Sequence, residues 1–89
     1  MIRDLGDLLD LYGVDSLAGL DRQVYKQTAC GAWVREIDGG VNVGSSVEGH
    51  DAEFLETLDF PFTVDDWRRT LRGLEAEVDD YLMEAAHGQ

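Results

Sequence analysis

Residues 63–85 read TVDDWRRTLRGLEAEVDDYLMEA, and this stretch decides the fold. Apolar side chains recur in it every three or four residues, which is the spacing of one face of an α-helix. Thr63 and Asp66 have the form of a capping box, in which each side chain satisfies a backbone N–H at the start of the helix. The pattern predicts a helix of about 23 residues that ends near Gly88. Its apolar stripe consists of Val64, Trp67, Leu71, Leu74, Val78, Leu82 and Ala85.

The stretch before this helix has the patterns of β-strands. Residues 31–37 have strand composition, and the Asp-Gly-Gly sequence at 38–40 is a strong hairpin signal because glycine accepts positive φ. Apolar and polar residues then alternate over 41–48 and again over 52–60, with a Gly-His-Asp turn between them. An antiparallel meander of three strands is predicted, and a fourth strand that starts at residues 24–26 is the alternative.

The first twenty residues are predicted to be largely helical. Apolar residues at helical spacing indicate a short helix over about 2–12, which Gly13 ends, and Asp15 or Ser16 is a candidate cap for a further turn. A helix this short must pack on the rest of the chain to be stable. The predicted fold class is α+β, with a short N-terminal helix, a three- to four-stranded antiparallel meander and a long C-terminal helix packed on one sheet face. The whole chain of 89 residues is predicted to form a single domain.

Charge is the most unusual feature of the composition. Nineteen Asp and Glu face seven Lys and Arg, which gives a formal net charge of −12. A small domain needs a net charge of only about 2–8 for solubility, and the excess destabilises the folded chain by self-repulsion. Direct binding to DNA, RNA or an anionic membrane requires basic patches, so the charge argues against all three. A basic partner fits it, and nucleic-acid-binding proteins are the commonest basic partners; acidity that serves only solubility is the alternative.

The sequence contains no recognisable catalytic or metal-binding motif. Cys30, His50 and His87 are far apart and lack the paired spacing of metal ligands. No nucleophile elbow or phosphate-binding loop is present, so no catalytic residue, cofactor or metal is predicted and the protein is not expected to be an enzyme. A lone cysteine fits a reducing compartment, and no apolar run is long enough for a membrane span or a signal peptide. We therefore expect the protein to remain in the cytoplasm of the cell that makes it.

The roles of three side chains depend on whether they are buried in the core. Glu56 shares its strand face with Phe54 by simple alternation, so burial there would raise its pKa. A strand end, a bulge or an arginine partner would also explain a glutamate at that position. Trp67 lies on the apolar stripe and is predicted to be in the core. Trp33 is either a core residue or an exposed anchor for a partner.

Acidic side chains are distributed unevenly along the long helix. After Glu75 the helix has no basic residue, although the helix dipole disfavours anions near its C-terminus. At about 100° per residue, Glu77, Asp80 and Glu84 fall on one flank outside the apolar stripe. Neighbours on such a flank lie about 5–6 Å apart, which is close to the spacing of phosphates along a nucleic-acid strand. This row is a candidate mimic of phosphates, and a solvated helix face is the alternative.

Two further acidic patches are candidates for contact with a basic partner. The first consists of Asp51, Glu53 and Asp59, which occupy alternate positions along the third strand and would lie on one of its faces. The second patch lies on the first helix and consists of Asp4, Asp7 and Asp10. The partner-binding residues predicted from the sequence are Glu77, Asp80, Glu84, Asp51, Glu53 and Asp59.

Two segments carry a resemblance to known proteins. Residues 41–53 read VNVGSSVEGHDAE, and residues 58–63 read LDFPFT. Over roughly residues 24–70, the chain resembles small acidic proteins of unknown activity that bacteriophage and prophage genomes encode. In size, acidity and lack of catalytic motifs it is also similar to anti-CRISPR proteins, several of which occupy the DNA-binding surfaces of CRISPR effectors, some as acidic DNA mimics. CRISPR effectors hold nucleic acid in basic channels, so the resemblance implies a target for an acidic protein.

The leading hypothesis from the sequence is a non-catalytic phage inhibitor. It would bind a basic nucleic-acid-handling complex of the host, with a CRISPR effector as the first candidate, by electrostatic steering and steric occlusion. The alternative is a small homodimeric structural or adaptor protein that uses the apolar stripe of the long helix or an exposed sheet edge as its interface. Salt separates the two hypotheses, because phosphate mimicry weakens steeply with ionic strength and an apolar dimer does not.

Overall fold

Two short helices, a three-stranded antiparallel sheet and one long helix make up the fold. The computed structural model describes residues 1–47 and 49–87. In chain order the elements are α1 (Leu5–Tyr12), α2 (Leu17–Gln27), β1 (Trp33–Ile37), β2 (Gly40–Val47), β3 (Ala52–Asp59) and α3 (Val64–His87). The strands lie in the order β1-β2-β3, so the predicted α+β class with its antiparallel meander and long C-terminal helix is confirmed. Glu48 and Gly88, where a strand and a helix were predicted to end, lie outside the described residues.

The second helix corrects the prediction for the region before the sheet. Ser16 is its N-cap, and the Ser16 side chain accepts a hydrogen bond from a backbone N–H of the first turn. The helix then continues to Gln27, so residues 24–26 are helical and no fourth strand starts there. Leu20 and Val24 lie one turn apart, and both side chains are completely buried. Burial of this face outweighs the strand preference of a β-branched residue such as Val24.

The N-terminal segment also differs from its prediction. Asp4 caps α1, because its carboxylate accepts a hydrogen bond of 2.9 Å from the Asp7 N–H, so the helix begins at Leu5 rather than at residue 2. Ile2 instead forms an antiparallel bridge with Phe62, with N–H to carbonyl distances of 2.7 and 3.0 Å. This bridge fixes the start of the chain against the segment that leads into α3.

The hydrophobic core lies between the helices and one face of the sheet, which we call the core face. α3 packs against β2 and β3, and α2 packs against β1. Trp67 has 1% of its surface exposed, which confirms that it is a core residue. Its ring stacks on Phe62 at a centroid distance of 6.2 Å, and its indole N–H donates a 2.8 Å hydrogen bond to the Tyr12 hydroxyl. From the sheet the buried side chains are Val34, Val41, Val43 and Ser45.

No helix covers the opposite side of the sheet, which we call the open face, in the described part of the chain. Trp33 lies there and is half-buried, because its ring covers Gly44 on the neighbouring strand. A Cβ atom on Gly44 would lie 2.2 Å from a carbon of that ring, so a side chain at Gly44 would displace the ring. The Arg35 guanidinium lies 4.3 Å from the centroid of the Trp33 ring. Trp33 is therefore not a core residue. Part of its ring surface already contacts Gly44 and Arg35 of the same chain.

The long helix extends beyond the core that it covers. It has 24 residues, which corresponds to a length of about 36 Å. Val78 is its last buried side chain, and residues 79–87, which we call the helix extension, follow it. The chain is accordingly elongated, with extents of 45 × 20 × 20 Å. In the described ranges, none of the helices is both long and apolar enough to cross a membrane.

The start of α3 is fixed by the predicted capping box. The Thr63 hydroxyl accepts a 2.9 Å hydrogen bond from the Asp66 N–H, and the Asp66 carboxylate accepts one of 3.0 Å from the Thr63 N–H. We expect Thr63→Ala to lower the free energy of unfolding by about 1 kcal/mol, because the first turn loses an acceptor for a backbone N–H. Thr63→Ser keeps the hydroxyl and should stay within a few tenths of a kcal/mol of the wild type. Urea denaturation measures both, and equal stabilities for the two variants would show that the cap contributes nothing.

Candidate acidic interface

The three predicted carboxylates of α3 are exposed on one side of the helix. Glu77 lies beside the end of the core, and Asp80 and Glu84 lie on the helix extension. Glu77 and Glu84 are two turns apart, or about 10 Å along the axis. Within the part of the chain that the structure describes, none of the three forms an ion pair. The helix therefore presents a row of negative charge that no basic side chain of the described fold neutralises.

The arginines of α3 lie in its N-terminal half, and one of them pairs with an aspartate of the first turn. Arg69 lies 3.8 Å from Asp66, three residues earlier on the helix. The carboxylate of Glu75 accepts a 3.0 Å hydrogen bond from the Ala29 N–H. This contact ties the loop after α2 to α3. The positive charge of the helix thus stays near its N-terminus and does not reach the acidic row.

Glu56 of β3 and Glu77 of α3 are neighbours where α3 packs on the sheet. Glu56 lies on the core face with Phe54 and Leu58, as alternation predicts, and is half-buried. Its neighbour is the Glu77 carboxyl rather than an arginine. A hydrogen bond between the two carboxyl groups raises the pKa of Glu56, and partial burial and the charge of Glu77 act in the same direction. A cationic side chain from outside the fold would relieve this repulsion.

The acidic pair has a consequence for stability that depends on pH. The pKa of Glu56 is higher in the folded chain than in the unfolded chain, so the folded state binds the proton more tightly. This contribution to stability is fully present below the ordinary glutamate pKa and is lost as the pH rises through the raised value. Acidification from pH 7 to about 5 should therefore raise the melting temperature.

We expect Glu77→Gln to raise the melting temperature at pH 7 and to reduce its rise on acidification, because the variant lacks the second carboxylate. Asp79→Asn is the matched control: Asp79 is exposed on the same helix, and its replacement changes the net charge equally. Differential scanning calorimetry at both pH values compares the variants. The same pH response in both would mean that general repulsion, and not this pair, sets the dependence.

The predicted row on the third strand is only partly formed. Asp51 lies in the turn before β3 and not on the strand. Glu53 and Asp59 are exposed on the open face, but they are six residues apart, or about 20 Å. Leu55 and Thr57 lie between them on the same face, so the strand carries two separated acids and no continuous row.

The acidic patch on the first helix has a structural role. Asp4 is the N-cap of α1, and the Asp7 carboxylate accepts a 2.9 Å hydrogen bond from the Arg3 N–H. Asp10 is exposed. Two of these three side chains therefore hold the start of the helix. The N-cap position of Asp4 is visible in the sequence only once the start of the helix is known.

The remaining candidate groups do not assemble into a reactive centre. In residues 1–47 and 49–87, no three His, Cys, Asp or Glu side chains are placed to hold a metal ion. His50 lies against the Tyr81 ring at a centroid distance of 5.5 Å, and Cys30 is half-buried behind Ser45, whose hydroxyl donates to the Cys30 carbonyl at 2.8 Å. A surface cavity of about 430 Å³ lies beside Trp33 and Arg35.

Comparison with known proteins adds no relative to this picture. No protein-family model, no curated protein sequence and no solved structure matches the chain. The resemblance to phage-encoded proteins stays a prediction from the sequence. The function is therefore argued from the geometry and charge of the chain itself.

Proposed function

We propose that this protein is a non-catalytic inhibitor that binds a basic nucleic-acid-handling complex of a bacterial host, in the manner of an anti-CRISPR protein that covers the DNA-binding surface of a CRISPR effector. The observation that carries the proposal is the exposed row of Glu77, Asp80 and Glu84, which is unpaired within the described residues. Charged rows of this kind have a cost in stability, because like charges repel and the helix dipole disfavours anions at this end. A basic partner would offset that cost.

The helix extension gives the acidic row a shape suited to a groove. Residues 79–87 follow the last buried side chain of α3. Tyr81 still packs on Phe54 and His50, but Asp80 and Glu84 are exposed, so a partner can reach the acidic side of this segment. CRISPR effectors hold nucleic acid in positively charged channels and read the PAM with arginines. The carboxylates would occupy the positions of phosphates and accept charge-assisted hydrogen bonds from those arginines. Long-range attraction would accelerate the encounter, and the bulk of the domain would then block the channel.

One observation favours the alternative, a homodimeric adaptor. Leu82 and Met83 are 41% and 54% exposed on the helix extension, and Tyr25 of α2 is 63% exposed. Apolar side chains on an extended helix are typical of a helix-mediated interface. The same segment carries Asp79, Asp80 and Glu84, whose charges would repel those of a second copy in a parallel arrangement. We therefore rank the dimer second.

Salt dependence separates the two proposals. The protein is immobilised, and guide-loaded CRISPR effectors of different types are passed over it between about 50 and 500 mM NaCl. Phosphate mimicry predicts that the association rate constant falls steeply with ionic strength for the effector that binds. Sedimentation equilibrium of the protein alone tests the alternative. A stable dimer at every salt concentration, with no effector bound at low salt, would support the adaptor and contradict the inhibitor.

A further inference from the structure

β3 is an edge strand: within residues 1–47 and 49–87 it pairs with β2 on one side only, and its outer backbone is unpaired. The Phe60 N–H donates a 2.9 Å hydrogen bond to the Gly39 carbonyl, which shows which residues of this strand face β2. Because hydrogen-bonded and non-hydrogen-bonded pairs alternate in an antiparallel ladder, every second residue of β3 turns its N–H and C=O outward. These residues are Glu53, Leu55, Thr57 and Asp59.

The other edge of the sheet is closed by contrast. The Val34 N–H points outward from β1 and donates a 2.8 Å hydrogen bond to the Asp21 carboxylate of α2. α2 packs along this strand, so a new strand has no access there. In the described part of the chain no comparable bond closes the β3 edge. A sheet with one open edge offers a single place for strand addition.

The acids on β3 exclude a second copy of the chain from this edge. In an antiparallel pairing of two β3 strands centred on Leu55 and Thr57, Glu53 of each copy would lie opposite Asp59 of the other. Like charges directly opposite one another destabilise a strand pair. Charged edges of this kind are a common protection against self-association. The same charges attract a strand that carries lysine or arginine.

We propose that the open edge of β3 accepts an extended, basic segment of the partner protein as a fourth strand. This inference rests on the proposed function and specifies its partner chemistry. Main-chain hydrogen bonds to the outward residues would hold the segment, and its side chains would alternate between the two faces. On the open face, basic residues would lie opposite Glu53 and Asp59, and an apolar residue would cover Leu55, which is 52% exposed.

On the core face, Glu56 links this edge to the acidic row of α3, because its neighbour is Glu77. A lysine or arginine opposite Glu56 would lie about 4.5–5.5 Å from it at the Cβ atoms. The Glu77 carboxyl neighbours that of Glu56, so one cation placed there would face both groups. Strand addition and charge neutralisation would then occur at the same place. A partner segment would then need both an extended backbone and positive charge.

The test uses a synthetic peptide, Lys-Val-Thr-Lys-Val-Val-Lys-Thr, which places cations opposite the three acids in an antiparallel register. Amide hydrogen exchange is followed residue by residue with the full-length protein at a saturating peptide concentration. We expect the outward amides of Leu55 and Thr57 to slow by about tenfold or more, because they gain a hydrogen-bond partner. The amides of Phe54 and Leu58, which already face β2, should change little.

Two controls separate strand addition from simple charge attraction. A peptide with N-methyl groups on its third, fifth and seventh residues keeps every charge but cannot complete the ladder, so it should give no protection. Leu55→Pro removes one outward N–H and should weaken binding of the unmodified peptide, since proline is tolerated where an edge N–H faces solvent.

The proposal is overturned if the peptide fails to bind, or if both peptides bind equally and leave Leu55 and Thr57 unprotected. In the second case the acidic surface would still attract basic partners, and the proposed inhibitor function would stand without strand addition. Conversely, protection by the peptide together with no binding to any guide-loaded effector would sustain the strand site and contradict the choice of partner.

Discussion

Replacing Trp67 with alanine is expected to lower the free energy of unfolding by about 3–5 kcal/mol, the range for large buried aromatic side chains. A chain of this size has a total stability of roughly 4–13 kcal/mol, so the loss would leave little or no folded protein near physiological temperature. The cause is the position of the ring, which is 1% exposed between Phe62 and Tyr12 and closes the core under α3. Urea denaturation followed by circular dichroism measures the change.

Two further variants separate the contributions of the Trp67 side chain. Trp67→Phe keeps an aromatic ring in the stack and loses the hydrogen bond to the Tyr12 hydroxyl, so it should be considerably less destabilising than alanine. Trp33→Ala is the matched control from the open face, where the ring is half-exposed, and we expect a loss of about 1–2 kcal/mol. A loss below about 1 kcal/mol for Trp67→Ala would contradict its place in the core.

The second large effect concerns the acidic row. The triple variant Glu77→Lys, Asp80→Lys and Glu84→Lys should slow association with the basic partner by an order of magnitude or more at low salt, because steering acts mainly on the association rate. Folding should not suffer. All three side chains are exposed, and a lysine at position 77 would replace the repulsive contact with Glu56 by an attractive one. The helix dipole also stabilises cations in the C-terminal half of a helix by a few tenths of a kcal/mol. Surface plasmon resonance gives the rate constants.

The control for this variant must change charge without removing a structural contact. Asp4 and Asp7 are unsuitable, since Asp4 caps α1 and the Asp7 carboxylate accepts a hydrogen bond from the Arg3 N–H. Asp10, Asp15 and Glu36 are exposed and lie on other elements, and their change to lysine shifts the formal charge equally, from −12 to −6. Equal losses from both triples would indicate long-range attraction without a specific surface. No loss from the helix triple would exclude it as the binding site and direct attention to Glu53 and Asp59.

The elements with strong local signals were predictable from the sequence. The capping box at Thr63 and the apolar stripe through Trp67 are local patterns, and both are confirmed in α3. The Asp-Gly-Gly turn likewise predicted the hairpin of β1 and β2, although of the two glycines only Gly39 has positive φ, and the alternation over 52–60 predicted β3. In these stretches propensity, periodicity and capping agree, so one sequence window is sufficient.

The features that the sequence missed depend on tertiary packing. Val24 has high strand propensity, yet it is helical because its side chain is buried with that of Leu20. The contact between Glu56 and Glu77 joins residues that are 21 positions apart, and only the packing of α3 on β3 brings them together. Alternation did place Glu56 on the core face, but it could not name the neighbour. The role of Asp4 as a cap was also missed, because the first helix starts later than its apolar pattern indicates.

A competition experiment tests the central claim most directly. A guide-loaded CRISPR effector that binds this protein is titrated with labelled target DNA in the presence of increasing amounts of the protein, and DNA binding is measured by fluorescence anisotropy. Phosphate mimicry predicts that the apparent dissociation constant for DNA rises in proportion to the protein concentration, that the effect weakens as salt is added, and that the lysine triple in α3 abolishes it. Undiminished DNA binding at a protein concentration that saturates the effector would contradict the account, because protein and nucleic acid would then occupy different surfaces.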